Sequence, residues 1–160
     1  MEDFSEVVAD YTKVERNLVH VCFKNVIGPK RVLVRTLDAI MENPKYNKYT
    51  KRMKAYKTKV RDELIGDATY MIDMLQSYCI DRKGNGAESN TFFYLMAADL
   101  TRYICEQTEP GTKLADFKDA AVRYYERAEA KCANLHNCCP TKMSRDLHHA
   151  NFLNEYRNDP

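Results

Sequence analysis

The sequence predicts an all-α fold, and three observations carry that prediction. Only five glycines and five prolines occur among 160 residues, while 30% of the residues are charged and 44% are hydrophobic. This composition favours long, solvated helices over a turn-rich sandwich or barrel. Apolar residues recur every three or four positions over long stretches, and no segment alternates as a strand does. A chain of this length is expected to form one domain, spanning residues 1–160.

Helical periodicity defines the main segments. One apolar stripe runs from Met53 to Cys79 and another from Leu114 to Leu135, each with spacings of three and four. Between them, the segment from Phe92 to Tyr103 is apolar on more than one side, which predicts a centrally packed helix. The segment from Arg16 to Met41 has a similar pattern. A last helix is expected to start at Thr141.

Helix-stopping residues separate these segments. They cluster at Asn43-Pro44, Asp81 to Gly86, Pro110-Gly111 and Cys138 to Pro140. The short connections predict an antiparallel array of four to five helices. A weaker helical pattern at the start of the chain consists of Phe4, Val7, Val8 and Tyr11.

Several cellular settings are disfavoured. The longest uninterrupted apolar run, Phe92 to Ala98, has seven residues, whereas a membrane span needs roughly 20. The acidic start of the chain does not resemble a signal peptide. Cys22, Cys79 and Cys105 fall on or beside apolar stripes, where free thiols behave as small hydrophobes. We therefore expect a cytoplasmic location, reduced cysteines and no membrane partner.

Cationic side chains form a row on the first long helix. Lys24, Arg31 and Arg35 are spaced seven and four apart, which places them on one side. Aligned like charges repel, so the row must face either water or a bound anion. From periodicity alone, the favoured interpretation is that the row faces water. Arg102, beside Tyr103 in an otherwise apolar segment, needs a partner for its charge.

Three segments resemble one protein family. The stretch RNLVHVCFKNV, Arg16 to Val26, with the following Gly28 and Arg31, resembles the signature region of the 14-3-3 proteins. Ala87 to Tyr103 is similar to the central helix of that family, and Pro140 to Phe152 is similar to the start of the next helix. The resemblance covers about residues 12–156. It implies a single, incomplete 14-3-3-like domain that lacks the family's first helix and last two helices.

The resemblance also implies a function. Members of the family are non-enzymatic adaptors in signalling that hold phosphoserine or phosphothreonine segments of other proteins in a groove, without a cofactor. The positions that match the family's phosphate contacts are Lys24, Arg31, Arg35, Arg102 and Tyr103. Asn151 matches the asparagine that holds the ligand's main chain. Guanidinium groups suit this role because they can meet a phosphoryl group bidentately.

One departure from the family pattern concerns the cationic helix. Pro29 lies between Lys24 and Arg31, where it removes a hydrogen bond and predicts a kink. Such a kink would misalign the two cations. Near the chain end, Leu147, Phe152 and Leu153 are expected to be exposed apolar side chains.

The resemblance carries an expectation about assembly. Tyr56, Lys59 and Glu63 match positions that the family uses against the first helix of its dimer partner. Since this sequence offers no such helix in return, a symmetric homodimer is not expected. A full-length 14-3-3 relative is the expected partner in a heterodimer.

Other functions have weaker support. Cys132, His136, Cys138 and Cys139 contain zinc-binding atoms, but their spacing is not a standard one, which favours loop thiols. The basic run over residues 48–61 suits solvated surface better than nucleic acid. Glycine-rich phosphate loops and nucleophile elbows are absent from the sequence, and the acidic side chains fall on faces expected to be exposed. Two hypotheses remain, a phosphopeptide adaptor and a helical interaction or structural remnant without phosphopeptide affinity.

Overall fold

The computed structural model describes residues 9–156, and the regular secondary structure within them is helical throughout. In chain order the elements are α1 (Lys13–Met41), a 3-10 helix (Pro44–Tyr49), α2 (Thr50–Tyr78), α3 (Ala87–Gln107), α4 (Thr112–Cys132) and α5 (Pro140–Tyr156). The all-α prediction is confirmed, and the helices are separated where the predicted breaks fall. Phe4, Val7 and Val8 of the weak N-terminal pattern lie outside the described residues. None of the described helices is long and apolar enough to cross a membrane.

Helix α1 has a well-defined start and continues through its proline. The Glu15 N–H donates to Thr12 Oγ1 at 3.2 Å, and the Thr12 N–H donates to the Glu15 carboxylate at 2.7 Å. This reciprocal pair satisfies two free N–H groups of the first turn. Pro29 lies inside the helix, between the buried Ile27 and Val34. The helix continues without interruption past this residue, so Pro29 does not end α1.

Helix α3 is the centre of the array, as its apolar faces predict. It packs against α1, α2, α4 and α5. Helices α1 and α2 run antiparallel, since Lys30 of α1 pairs with Asp67 late in α2, and Asp38 pairs with Lys57 early in α2. Both nitrogen–oxygen distances are 2.5 Å. These two pairs hold α1 alongside α2.

Two core clusters surround α3. The first joins α1, α2 and α3 through Ile27, Leu64, Ala68, Met71, Leu75, Cys79, Phe93, Met96, Ala97, Leu100 and Ile104. The second joins α3, α4 and α5 through Leu95, Ala98, Ala121, Tyr125 and Phe152. Phe152 is therefore buried, and its predicted exposure is wrong because its ring lies 5.3 Å from that of Tyr125. Leu147, on the outer face of α5, is 60% exposed, whereas Leu153 is partly buried against the second cluster.

The cysteines are all free thiols. Cys79 and Cys105 are buried, in keeping with their positions on apolar stripes. Cys22 is exposed, because the buried positions of α1 follow Arg16, Ile27 and Val34 and residue 22 lies off that line.

One carboxylate ties three helices together. Asp99 of α3 accepts a hydrogen bond from Tyr125 Oη of α4 at 3.0 Å and lies 2.6 Å from His148 Nδ1 of α5. The hydrogen bond with Asp99 raises the pKa of His148 above its ordinary value of 6.5, against the opposing effect of burial. The neighbouring His149 stacks on Tyr125 at 5.0 Å, and burial together with Arg145 lowers its pKa. The pKa values of these two adjacent histidines are thus shifted in opposite directions.

The substitution His148→Gln is expected to reduce stability most at low pH. The folded-state pKa of His148 lies above that of an unfolded histidine, so its pair with Asp99 stabilises fully below about pH 6.5. That contribution is lost as the pH rises through the folded-state value. Urea unfolding of the wild type and the variant at about pH 5.5 and about pH 8.5 measures the difference.

His149→Gln is the matched control, with the opposite sign. Because the folded-state pKa of His149 is lowered, its contribution is present above the unfolded pKa and is lost as the pH falls. A stability loss for His148→Gln that is larger at about pH 8.5 than at about pH 5.5 would contradict the pairing with Asp99.

Candidate functional site

Arg31, Arg102 and Tyr103 meet at one place between α1 and α3. The guanidinium carbon of Arg31 lies 3.7 Å from the centroid of the Tyr103 ring, and that of Arg102 lies 4.9 Å from it. Two cations on one aromatic ring are held by the ring's negative face. Both arginine side chains are largely buried, with 19% and 14% of their surface exposed. Low exposure strengthens their interaction with any anion that reaches them.

Glu106 is the anion that these arginines bind in the structure. Arg31 donates to both carboxylate oxygens, from Nη2 at 2.7 and 3.0 Å and from Nε at 3.2 Å. Arg102 Nη1 donates to the same carboxylate at 3.1 Å, and Arg35 Nη2 donates at 3.4 Å. One negative charge therefore serves three guanidinium groups. Glu106 is thus the shared centre of these contacts.

The groups around Arg102 keep its guanidinium protonated. Its Nη1 also lies 3.4 Å from Glu155 of α5, and its Nε lies 3.8 Å from Asp99. Burial disfavours the charged guanidinium, but Asp99, Tyr103 and Glu106 outweigh it and raise the pKa of Arg102. The Nε atom is buried without a hydrogen-bond partner among the described residues. Arg102 is thus a permanent cation, and its Nε is enclosed within the fold.

A cleft of about 620 Å³ opens beside this cluster. Residues of α1, α3 and α5 line it, among them Lys24, Arg31, Phe92, Met96, Tyr103 and His148. Arg31 and Tyr103 belong to its lining, and Arg102 lies next to Tyr103. Lys24 is exposed on the same wall, seven positions before Arg31. Pro29 does not remove Lys24 from the cleft that Arg31 enters.

The remaining predicted contacts lie farther out. The Arg35 side chain is 68% exposed and reaches the cluster only through Glu106. Asn151 is exposed on α5, one turn after His148 and one turn before Glu155. Those two neighbours contact Asp99 and Arg102, so Asn151 lies along the row of α5 residues that follows the site.

The residues predicted for dimer contact lie on α2, away from the cleft. Tyr56 is 50% exposed, and Lys59 and Glu63 are also exposed. Spacings of three and four place all three on one helix face. The Glu63 carboxylate lies 3.5 Å from Lys30 Nζ, which ties one edge of this face to α1.

Glu106 and Asp99 were missed by the sequence reasoning, which placed the acidic side chains on exposed faces. Glu106 is 15% exposed and Asp99 is 14% exposed, so that placement is wrong for both. A signal for them exists in the sequence. They lie four positions after and three positions before Arg102, where a helix brings side chains together.

The cysteine-rich loop does not form a metal site in the described part of the chain. No group of three or more histidine, cysteine, aspartate or glutamate side chains there could hold a metal ion. Cys132 is buried with its thiol 3.7 Å from Arg145 Nη2, whereas Cys138 is exposed. The zinc alternative gains no support from these positions.

Comparisons with known proteins agree with the resemblance in the sequence. The family model described as "14-3-3 protein" matches residues 1–160. The chain is 32% identical over 164 residues to the 14-3-3-like protein GF14 epsilon of Arabidopsis thaliana, covering 100% of this chain and 64% of that protein. It is 31% identical over 167 residues to the 14-3-3-like protein C of Glycine max, covering 100% and 63%.

A similar relationship holds outside plants. The chain is 27% identical over 161 residues to the 14-3-3 protein zeta of Bombyx mori, covering 100% of this chain and 65% of that protein. The chain thus spans less than two thirds of the length of these relatives. The match of the family model along the whole sequence, together with these relatives, shows that the chain belongs to the 14-3-3 protein family.

Proposed function

We propose that this chain is a non-enzymatic adaptor that binds phosphoserine or phosphothreonine segments of partner proteins at the Arg31–Arg102–Tyr103 cluster. One observation carries the proposal. Two guanidinium groups converge on one tyrosine ring and both donate to the Glu106 carboxylate, whose place an incoming anion can take. An anion with more charge and more acceptor atoms than Glu106 fits this arrangement.

A phosphoryl group has those properties. It carries about −1.5 to −2 charges at pH 7 and three acceptor oxygens. Arg31 and Arg102 would each present parallel N–H donors, and the Tyr103 hydroxyl would supply a further donor. Each charge-assisted hydrogen bond contributes about 1.5–3 kcal/mol. A phosphate would thus replace or share the bonds that Glu106 now makes.

Other residues would extend the contact. Lys24 supplies a second positive charge on the α1 wall. The exposed Arg35, which now contacts Glu106, supplies a third next to the proposed phosphate position. We expect Asn151, which is exposed on α5, to hold the ligand's main chain. The phosphate would then fix the ligand's position, while the cleft would accept the residues beside it.

A titration of paired peptides tests the proposal. Two fluorescent peptides that differ only in one phosphoserine are titrated with the chain at low and high salt. We expect at least a tenfold preference for the phosphopeptide, which shrinks as salt screens the charges. Arg31→Lys is expected to weaken that binding about tenfold, because lysine lacks the bidentate fork and stacks poorly on Tyr103.

Arg52→Lys is the control for the arginine substitution. Arg52 is exposed on α2, away from the cleft, so phosphopeptide affinity should not change. A weakening as large as that of Arg31→Lys would show that the effect of the substitution does not arise from the cleft. Circular dichroism of each variant checks that the helices are intact.

A second candidate function has its own observation. Asp99, Glu106 and Glu155 already lie within 4 Å of Arg102, so its charge is neutralised inside the fold. The chain would then be a helical interaction or structural protein without phosphopeptide affinity. Equal affinity of the two peptides at low salt would support this candidate and overturn the adaptor proposal.

The free thiols bear on the cellular location of the proposed adaptor, and the pairing of its basic residues bears on the class of its partners. Six free cysteines suit the reducing cytoplasm. The basic run of α2 is partly neutralised, since Lys57 pairs with Asp38 and Arg61 pairs with Glu109. We accordingly propose protein partners for this chain and not nucleic acid.

We also propose a pairing with a full-length 14-3-3 relative through the α2 face of Tyr56, Lys59 and Glu63. An aromatic side chain exposed beside opposite charges is a common anchor of interfaces. Mixing the chain with such a relative is expected to give a one-to-one complex by light scattering. Tyr56→Ser should weaken it by about fivefold or more.

Tyr78→Ser is the matched control for this pairing. Tyr78 is 62% exposed at the end of the same helix, and at about 33 Å along the helix from Tyr56 it lies outside the proposed face. An equal loss from both substitutions, or no mixed complex with the wild type, would contradict the pairing.

A further inference from the structure

The cleft continues well beyond the Arg31 cluster toward the start of α1. Lys13, Asn17, His20 and Lys24 line that part of it. Their spacings of four, three and four place them on one face of the helix. Two ammonium groups, an amide and an imidazole thus follow one another along the wall. All four can donate hydrogen bonds.

The carboxylates at this end are already engaged elsewhere. Glu88 Oε1 accepts from Arg16 Nη2 and from Thr141 Oγ1, each at 3.0 Å. Asp99 is bound by Tyr125 and His148. Within residues 9–156, neither Lys13 nor Lys24 has a carboxylate within 4 Å of its ammonium group. Along this part of the α1 wall, hydrogen-bond donors therefore outnumber the acceptors that are still free to pair with them.

The titration of His20 agrees with that imbalance. Burial and the nearby charge of Lys24 lower its pKa, and His148 acts in the same direction. Asp99 opposes them without reversing the shift. Among the charges that act on the pKa of His20, that of Lys24 has the largest effect, and the ring packs edge-on against Phe92, with 6.1 Å between centroids.

We propose that Lys13, Asn17 and His20 form a second anion subsite, which takes an acidic side chain of the same ligand whose phosphate binds at Arg31. The inference rests on the proposed function and adds a preference to it. His20 and Arg31 are eleven positions apart, which is about 16 Å along a helix. An extended peptide covers that distance in about five residues. The preferred ligand carries aspartate or glutamate about five residues from its phosphorylated residue.

Peptides of matched length test the subsite. One phosphopeptide carries two asparagines about five residues from the phosphoserine, and its partner carries two aspartates at the same positions. The pair is made with these residues before the phosphoserine and again after it, because the direction of the ligand is an outcome of the test. We expect the aspartate peptide to bind about three- to tenfold more tightly in one of the two directions at low salt.

Variants of the chain locate the effect. In the double variant Lys13→Gln, His20→Gln, the ratio between the aspartate and asparagine peptides should fall towards one. Lys54→Gln removes an exposed lysine of α2 outside the cleft and should leave the ratio as in the wild type. The His20 ring signal in NMR should also titrate at higher pH with the aspartate peptide bound than with the asparagine peptide.

The outcomes separate this inference from the function on which it rests. Phosphate-dependent binding with no aspartate preference in either direction would overturn the second subsite alone. An aspartate preference that survives in the double variant would also overturn it. Binding without phosphate dependence would overturn the proposed function and the subsite with it.

Discussion

The contact between Glu106 and three arginines is the interaction on which the site depends. Arg31 and Arg35 come from α1, and Arg102 comes from α3. Without an anion between them, their charges would repel and push the two helices apart. Glu106 removes that repulsion and fixes the guanidinium planes at the same time. The cationic site can therefore exist in a folded chain before any ligand arrives.

The same contact determines what the site could bind. A ligand must compete with a carboxylate that is covalently part of α3 and pays no entropy of association. A monoanion gains little from such an exchange, whereas a phosphoryl group brings more charge and a third oxygen. Stacking of Arg31 on Tyr103 would keep that guanidinium in place during the exchange. The geometry thus favours phosphate over simple carboxylate ligands.

The fold could be predicted from the sequence because helix positions depend on local spacing. The central place of α3 followed from its apolar faces, and the breaks followed from prolines, glycines and asparagine. Contacts between helices were harder to predict from the sequence. The meeting of Arg31 with Arg102 was expected from the family resemblance alone, since they lie 71 positions apart in the chain. Phe152 was misjudged because its burial depends on Tyr125, a residue of another helix.

The carboxylates were missed for a related reason. Glu106 and Asp99 have the helix spacing of partners of Arg102, but the same spacing occurs on solvated faces. Only the packing of α1 and α5 against α3 makes these positions largely buried. The proline chemistry at Pro29 predicted a kink, but α1 is continuous through it and Lys24 and Arg31 line the same cleft.

The affinity of one phosphopeptide for the wild type and for Glu106→Gln, measured by calorimetry, tests the central claim most directly. Removing the competing charge is expected to tighten binding about five- to tenfold, equivalent to about 1–1.4 kcal/mol. Glu109→Gln is the matched control, because Glu109 pairs with Arg61 at 2.8 Å on the exposed surface and should not affect affinity. Unchanged or weaker binding by Glu106→Gln would contradict the claim that Glu106 occupies the place of the phosphate.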